Sequence, residues 1–272
     1  MIDRYHAQPP APKLLPELDA FAGDPNFVMS LARGLRVIEG FEGRTKGMTI
    51  ADVAAAAEIS RAAARRLLLT LEALGYAESS RRIYRLKTRV LKLGFSYLSS
   101  TSMVAIAQPI LEQITESLHE SASMSVLDRD QIIYVARSPA SRVMSVGISV
   151  GSHLPAYCTS MGRVLLSALS DAELNDYLGN LRPKAYTPKT VVSKPRLRQA
   201  ILQARADGFA IVDGELEVGL RAVAVPVRNR NDRIAAAINI GAHALRVDRK
   251  EMMRRFLPVL QENAATLSGL LI

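Results

Sequence analysis

The sequence predicts an α+β protein: an N-terminal winged helix-turn-helix, a linker helix, and a larger C-terminal domain whose mostly antiparallel sheet is flanked by helices. Three observations carry this. Between Ser30 and Gly75, short stretches with helical apolar spacing are separated by tight breaks. Farther on, two pairs of strand-like runs each enclose a polar turn, Asp128-Arg129-Asp130 and Asn229-Arg230-Asn231-Asp232. Strands and helices that segregate in this way favour α+β over a parallel α/β sheet.

With 272 residues and a hydrophobic fraction of 49%, the chain can bury a substantial core in one large or two ordinary domains. The formal net charge is +9, which invites an anionic partner. That charge is unevenly spread. Residues 30–90 hold twelve Lys/Arg against six Asp/Glu, so a surplus of six sits in under a quarter of the chain. A single cysteine, Cys158, rules out an intramolecular disulfide and fits a reducing compartment. There is no signal-like N-terminus, and no run reaches the ~18 apolar residues of a membrane span. A cytoplasmic protein with no membrane partner is expected.

The elements follow in order. Residues 1–26 contain five prolines (Pro9, Pro10, Pro12, Pro16, Pro25) and read as a mobile N-terminal arm. A DNA-binding domain is expected over 27–88. Its first helix, SLARGLRVIEGF, places Leu31, Leu35 and Ile38 on one stripe. Thr49 caps a second helix with Asp52 three residues on, and Ile50, Val53, Ala54 and Ala57 form its buried side. A turn at Glu58-Ile59 leads to Ser60, which caps the third helix. There Ala64, Leu67, Leu68, Leu71 and Leu74 make the core stripe, and Gly75 ends it.

The opposite side of that third helix carries Arg61, Ala62, Arg65, Arg66 and Thr70. Small residues let a helix approach base edges, and long donors at its flanks reach phosphates or guanine. Two helices joined by a tight turn, the second capped and basic, are the helix-turn-helix pattern. YAESSRRIYRLKTRV then alternates like a hairpin with a Ser79–Arg82 tip, a basic wing that brings Arg81 and Arg82 to the backbone or minor groove. Candidate DNA-binding residues are Thr49, Ser60, Arg61, Ala62, Arg65, Arg66, Thr70, Arg81 and Arg82.

A linker helix is expected over 89–102 and the second domain over 103–272. In it, ASMSVLDRDQIIYVARS and RAVAVPVRNRNDRIAAAINIG read as hairpins. Helices are expected near Met161–Leu169, Asp171–Leu178, Lys194–Asp207 and Asp248–Leu270. The residues offer little for catalysis. His6, His119, His153 and His243 lack metal-ligand spacing. Asp213, Glu215 and Glu217 would share one face of a strand, as a solvated or salt-bridged edge rather than a cation site. Cys158 lies five residues from His153, but a lone cysteine in apolar surroundings is inert packing. Neither a phosphate loop nor a dinucleotide fingerprint is present. No catalytic residue, metal or cofactor is expected.

At this level of detail the sequence resembles the IclR family of bacterial transcription regulators. SLARGLRVIEGF, MTIADVAAAAEISRAAARRLLLTLEALGYAE and YRLKTRVLKLG are similar to its winged helix. LPAYCTSMGRVLLSAL, GFAIVDGELEVGLRAVAVPV and AAINIGAHALRV are similar to its effector-binding domain. Within the family, HLPAYCTSMGRVLL most resembles regulators of protocatechuate and 4-hydroxybenzoate catabolism. The resemblance implies a GAF-like C-terminal domain that binds a small organic acid such as protocatechuate, 4-hydroxybenzoate or 3-oxoadipate. It also implies a dimer or dimer of dimers on a pseudo-palindromic double-stranded operator, with RNA polymerase as a further candidate partner.

Carried over position by position, the effector residues are Ser160, Met161, Asp213, Ala222, Asn239 and Gly241, with Met144 and Val146 as an apolar wall. The chemistry of these residues is compatible. Free N–H groups near Thr159–Ser160 can hold a carboxylate, and Arg221 can supply a bidentate contact. Arg221 can equally be structural, paired with Glu215 or Glu217. Ala222 stands where some members have Cys, and Asn239 and Gly241 where some have Ser, which suits a ligand other than glyoxylate or pyruvate. Two rival readings are a small-molecule sensor or enzyme anchored to nucleic acid by the basic module, and a nonspecific DNA binder.

Overall fold

The computed structural model describes residues 18–100, 102–140 and 148–271. Its contacts divide the chain into two compact units between Tyr97 and Leu98. Of the expected arm, residues 1–17 lie outside the described residues, as do Met144 and Val146. The arm's remainder contains a short 3-10 turn, Leu18–Phe21, with Leu18 buried and Phe21 stacked on Phe27 at 4.3 Å.

The first unit contains α1 (Met29–Glu39), α2 (Ile50–Ala56), α3 (Arg61–Ala73) and an antiparallel hairpin of β1 (Ala77–Ser80) and β2 (Ile83–Leu86). Helix α4 (Leu91–Ser100) spans the division between units. The caps form as the residue types dictate. The Thr49 hydroxyl accepts from the Asp52 N–H, and the Asp52 carboxylate accepts from the Thr49 N–H and hydroxyl. These bonds hold the Asp52 carboxyl below its usual range. Ser60 Oγ accepts from the Ala63 N–H at 3.2 Å.

The core of this unit is Val37, Phe41, Met48, Val53, Ala54, Ala57, Ala64, Leu68, Leu71, Ala77 and Tyr84. Three expected core positions are corrected: Leu31, Leu35 and Leu74 stand 62%, 42% and 54% exposed. Helix α1 turns its Val37 side inward. Gly34 lets Leu67 come close, with the Leu67 Cδ2 atom 3.9 Å from where a Cβ would sit. Leu74 occupies the C-cap, and the chain turns away at Gly75, whose φ is +77°.

The second unit is built on a six-stranded, fully antiparallel sheet of order β5-β4-β3-β8-β7-β6. Its strands are β3 (Ser121–Asp128), β4 (Gln131–Ser138), β5 (His153–Pro155), β6 (Ala210–Asp213), β7 (Leu220–Arg228) and β8 (Ile234–His243). The two expected hairpins are β3–β4 and β7–β8, joined where β3 pairs with β8. One face packs on α5 (Ser102–Leu118) and on the C-terminal helix, in which α9 (Arg249–Glu251) passes through a π turn into α10 (Leu257–Leu270). The other face packs on α6 (Ser160–Leu166), with α7 (Asp171–Asn180) and α8 (Lys194–Asp207) in the same cluster. The expected α+β class, antiparallel and flanked by helices, is what the chain adopts.

Helix α5, like the short strand β5, was not anticipated from the sequence. Met103, Ala107, Ile110, Leu111, Ile114 and Leu118 recur at helical spacing and are buried, but Pro109 interrupts the pattern. The strand expected through Asp213, Glu215 and Glu217 stops at Asp213, because Gly214 turns the chain at φ +69°. Those acids therefore share no strand face. Glu215 instead forms a buried ion pair with Arg163 of α6 at 2.7 Å, with side chains 8% and 7% exposed. It also accepts from the Val191 N–H.

Removing one member strands a buried charge. Arg163→Met should lower unfolding free energy by about 3–5 kcal/mol in denaturant titrations, whereas Arg163→Met with Glu215→Leu should recover most of it. A single variant as stable as the parent would show the pair to be dispensable.

Candidate nucleic-acid interface and effector site

On α3, Arg61, Ala62, Arg65, Arg66 and Thr70 are all exposed, and Ala64, Leu68 and Leu71 lie inward. The sequence and the fold thus agree on the outward side. Its hydrogen bonding is already partly assigned: the Thr70 hydroxyl donates back to the Arg66 carbonyl at 2.9 Å. Thr49 and Ser60 have their side chains engaged as caps, so they present backbone at the helix starts.

The wing is tied to α3 through Glu72, whose carboxylate accepts from the Ser79 N–H at 3.1 Å and hydroxyl at 2.8 Å. Met48 adds a bridge to Tyr84 on the far side of β2. The tip is tighter than expected: Ser79 and Ser80 are strand, and Arg81 and Arg82 alone make the turn, at φ +51° and +67°. Two-residue hairpins of this hand favour Asn-Gly, since only such residues enter the left-handed region cheaply. An ordinary L-residue there costs roughly 1–2 kcal/mol. Arg61, Arg65, Arg66, Arg81 and Arg82 have no carboxylate partner among the described residues. Other cations are committed: Arg85 donates to the Lys46 carbonyl, Arg89 lies over the Tyr76 ring, and Arg36 pairs with Glu58.

In the second unit, strand alternation sorts the effector candidates. Ala222 and Ala224 lie on the α6 face, with Asn239 and Gly241 opposite them on β8. Met161 joins them from α6, its sulfur accepting from the Ser125 hydroxyl at 3.2 Å. Ser160 is 2% exposed and its hydroxyl has no partner. Thr159 caps α6 itself, accepting from the Gly162 N–H.

Asp213 and Arg221 are placed elsewhere. They face each other across β6 and β7, in step with Ile211 and Val223, on the α5 and α10 side. Arg221 donates to Asp213 at 3.0 Å and to the Val247 carbonyl. This bond, with Lys189 beside it, holds the Asp213 carboxyl below the usual range. Arg221 is thus structural, and its partner is Asp213 rather than Glu215 or Glu217.

Two residues on the α6 face were not anticipated. Arg137 of β4 donates to the Ser123 hydroxyl of β3 at 3.0 Å, and Ser123 in turn lies opposite Asn239. An irregularity in the β3–β4 register accounts for this. Ser125 pairs with Tyr134 but Met124 pairs with Ala136, so Val135 is an extra residue. Without that bulge Arg137 would project from the opposite face. Sequence periodicity gives no sign of such a phase change.

Cys158 is buried, and desolvation pushes its thiol up to about 12, so it is protonated at neutral pH. No group of three or more His, Cys, Asp or Glu side chains among the described residues could hold a metal. No helix among them is long and apolar enough to cross a membrane.

Comparison with known proteins agrees with both units. Residues 30–81 match the IclR helix-turn-helix domain, and residues 95–269 the bacterial transcriptional regulator IclR C-terminal domain. The chain belongs to the IclR family. Among IclR relatives it is 50% identical to the Pca regulon regulatory protein of Pseudomonas putida over 244 residues, 89% of this chain and 84% of that one. A putative transcriptional regulator from Rhodococcus superposes with a TM-score of 0.79 at 46% identity, covering 90% of this chain and 98% of the other. The inducer-binding domain of an Acinetobacter PobR double mutant, solved with 3-hydroxybenzoic acid, has a TM-score of 0.59 at 29% identity. It covers 61% of this chain and 98% of that domain.

The strained wing tip of this IclR-family chain can be tested directly. Changing Arg81→Asn together with Arg82→Gly should stabilise the first unit by about 1–2 kcal/mol. It should also weaken duplex binding and reduce the slope of log affinity against log salt by about two units. Unchanged affinity and slope would remove both arginines from the interface.

Proposed function

We propose that the protein is a cytoplasmic, non-enzymatic transcription regulator that binds a pseudo-palindromic operator as a dimer or dimer of dimers and responds to an aromatic-catabolism acid. The observation that carries the DNA-binding part is the outward side of α3. Three guanidinium groups without carboxylate partners flank small Ala62 on a helix capped by Ser60, with two further arginines on the wing. Such an arrangement supplies phosphate contacts and base readout together.

The effector class is supported by the polar row on the α6 face and by the names of the relatives. Protocatechuate, 4-hydroxybenzoate and 3-oxoadipate are the acids to test first. RNA polymerase is the natural further partner of a regulator that activates. The expected division is residues 1–26 as an N-terminal arm, 27–88 as the DNA-binding domain, 89–102 as the linker helix and 103–272 as the effector domain.

The test is fluorescence anisotropy at ~150 mM salt with promoter DNA from beside the protein's own gene and a scrambled duplex. The promoter should bind ~10³-fold tighter. Arg65→Ala should cost about 1–3 kcal/mol on the promoter and less on the scrambled duplex. Equal binding to both duplexes, with no loss on substitution, would instead favour a basic anchor without sequence preference.

A further inference from the structure

Three neighbouring strands present a polar row on the α6 face: Arg137 on β4, Ser123 on β3 and Asn239 on β8, aligned by the ladder register. Two of its three members, half-buried Arg137 and buried Asn239, keep hydrogen-bonding capacity unfilled, while the Ser123 hydroxyl accepts from Arg137. The Arg137 guanidinium bonds only Ser123, and no carboxylate lies within ion-pairing reach of it among the described residues. Burial nevertheless lowers its pKa, so the guanidinium sits partly desolvated without a counter-charge. Asn239 is 9% exposed, and its amide has no hydrogen-bond partner among the described residues. Ser160, beside Met161 on the covering helix, adds a buried hydroxyl with none.

These unmet needs are complementary. A guanidinium wants a carboxylate, which it can hold through two parallel N–H donors. Asn239 stands two strand spacings away, about 10 Å, and offers one donor and one acceptor group to a hydroxyl. In the adjoining row Ala222 and Gly241 have no side chain beyond Cβ, and Leu220 lies 3.7 Å from where a Gly241 Cβ would stand, an apolar neighbour for a flat ring.

We propose that Arg137 is the carboxylate anchor of the effector site, with Ser123 steering its guanidinium and Asn239 meeting the polar group at the far end of an aromatic acid. The assignment rests on the effector reading above and replaces Arg221, which is already bound to Asp213. Because the Val135 bulge turns Arg137 inward, the same irregularity that disturbs the β3–β4 ladder creates the site.

The test is calorimetric titration of the full-length protein with 4-hydroxybenzoate, protocatechuate and 3-oxoadipate, and with the neutral 4-hydroxybenzamide. Arg137→Gln should lose about 10- to 100-fold in affinity for the aromatic acids, with amide affinity changed less than ~3-fold. Arg137→Lys, which keeps charge without the fork, should fall between. Melting curves report whether each variant is folded. If Arg137→Gln does not fold, Ser123→Ala serves, with an acid-selective loss expected. An acid affinity equal to the parent's in a folded Arg137→Gln or Ser123→Ala variant overturns the anchor but leaves the effector reading standing. A parent protein that binds none of the acids overturns both.

Discussion

Residues Ser121–Ser125 of β3 lie antiparallel to Ala237–Gly241 of β8, and this short ladder joins the two hairpins into one sheet. Its register decides which side chains meet α6 and which meet α5 and α10. Ala122, Met124, Ile238 and Ile240 are thereby committed to the apolar side, and Ser123, Ser125, Asn239 and Gly241 to the other. A slip of one residue would exchange the two sets and bury the polar row among leucines. Full burial of Met124, Ile238 and Ile240 is what opposes such a slip.

The α6 face depends on equally local constraints. Gly162 lets α6 pass against the preceding turn, where a Cβ would stand 2.1 Å from the Ala156 carbonyl oxygen. One turn of the loop after β6 is then held to α6 by the Arg163–Glu215 pair, and the Thr187 and Thr190 hydroxyls donate to the Gly214 and Glu215 carbonyls behind it. The winged-helix unit is fixed by comparable means: two capped helices, a Glu72 clamp on the wing, and a Met48–Tyr84 bridge.

Much of this could be read from residue order. The caps at Thr49 and Ser60, the outward arginines of α3 and both large hairpins follow from local rules about donors, spacing and turns. Most of what escaped has nonlocal causes. Leu31 and Leu35 satisfy helical spacing, but α1 docks through Gly34 and Val37 instead, a choice made by the facing Leu67. Helix α5 was legible in its apolar spacing and was obscured by Pro109. Arg137 could not be found by alternation, since a bulge reverses it, and Arg221 looked available only because its partner Asp213 lies on another strand.

Regulation by an acid requires that its binding in the second unit change what the first unit does to DNA. Such coupling must be reciprocal, because the four binding states close a thermodynamic cycle. The direct measurement is operator affinity of the full chain with and without saturating 4-hydroxybenzoate, alongside acid affinity with and without saturating operator. The two ratios should be equal, and in the range of about 5- to 150-fold. An operator affinity that saturating acid leaves unchanged, in a protein that binds both ligands, would show the two sites to be uncoupled.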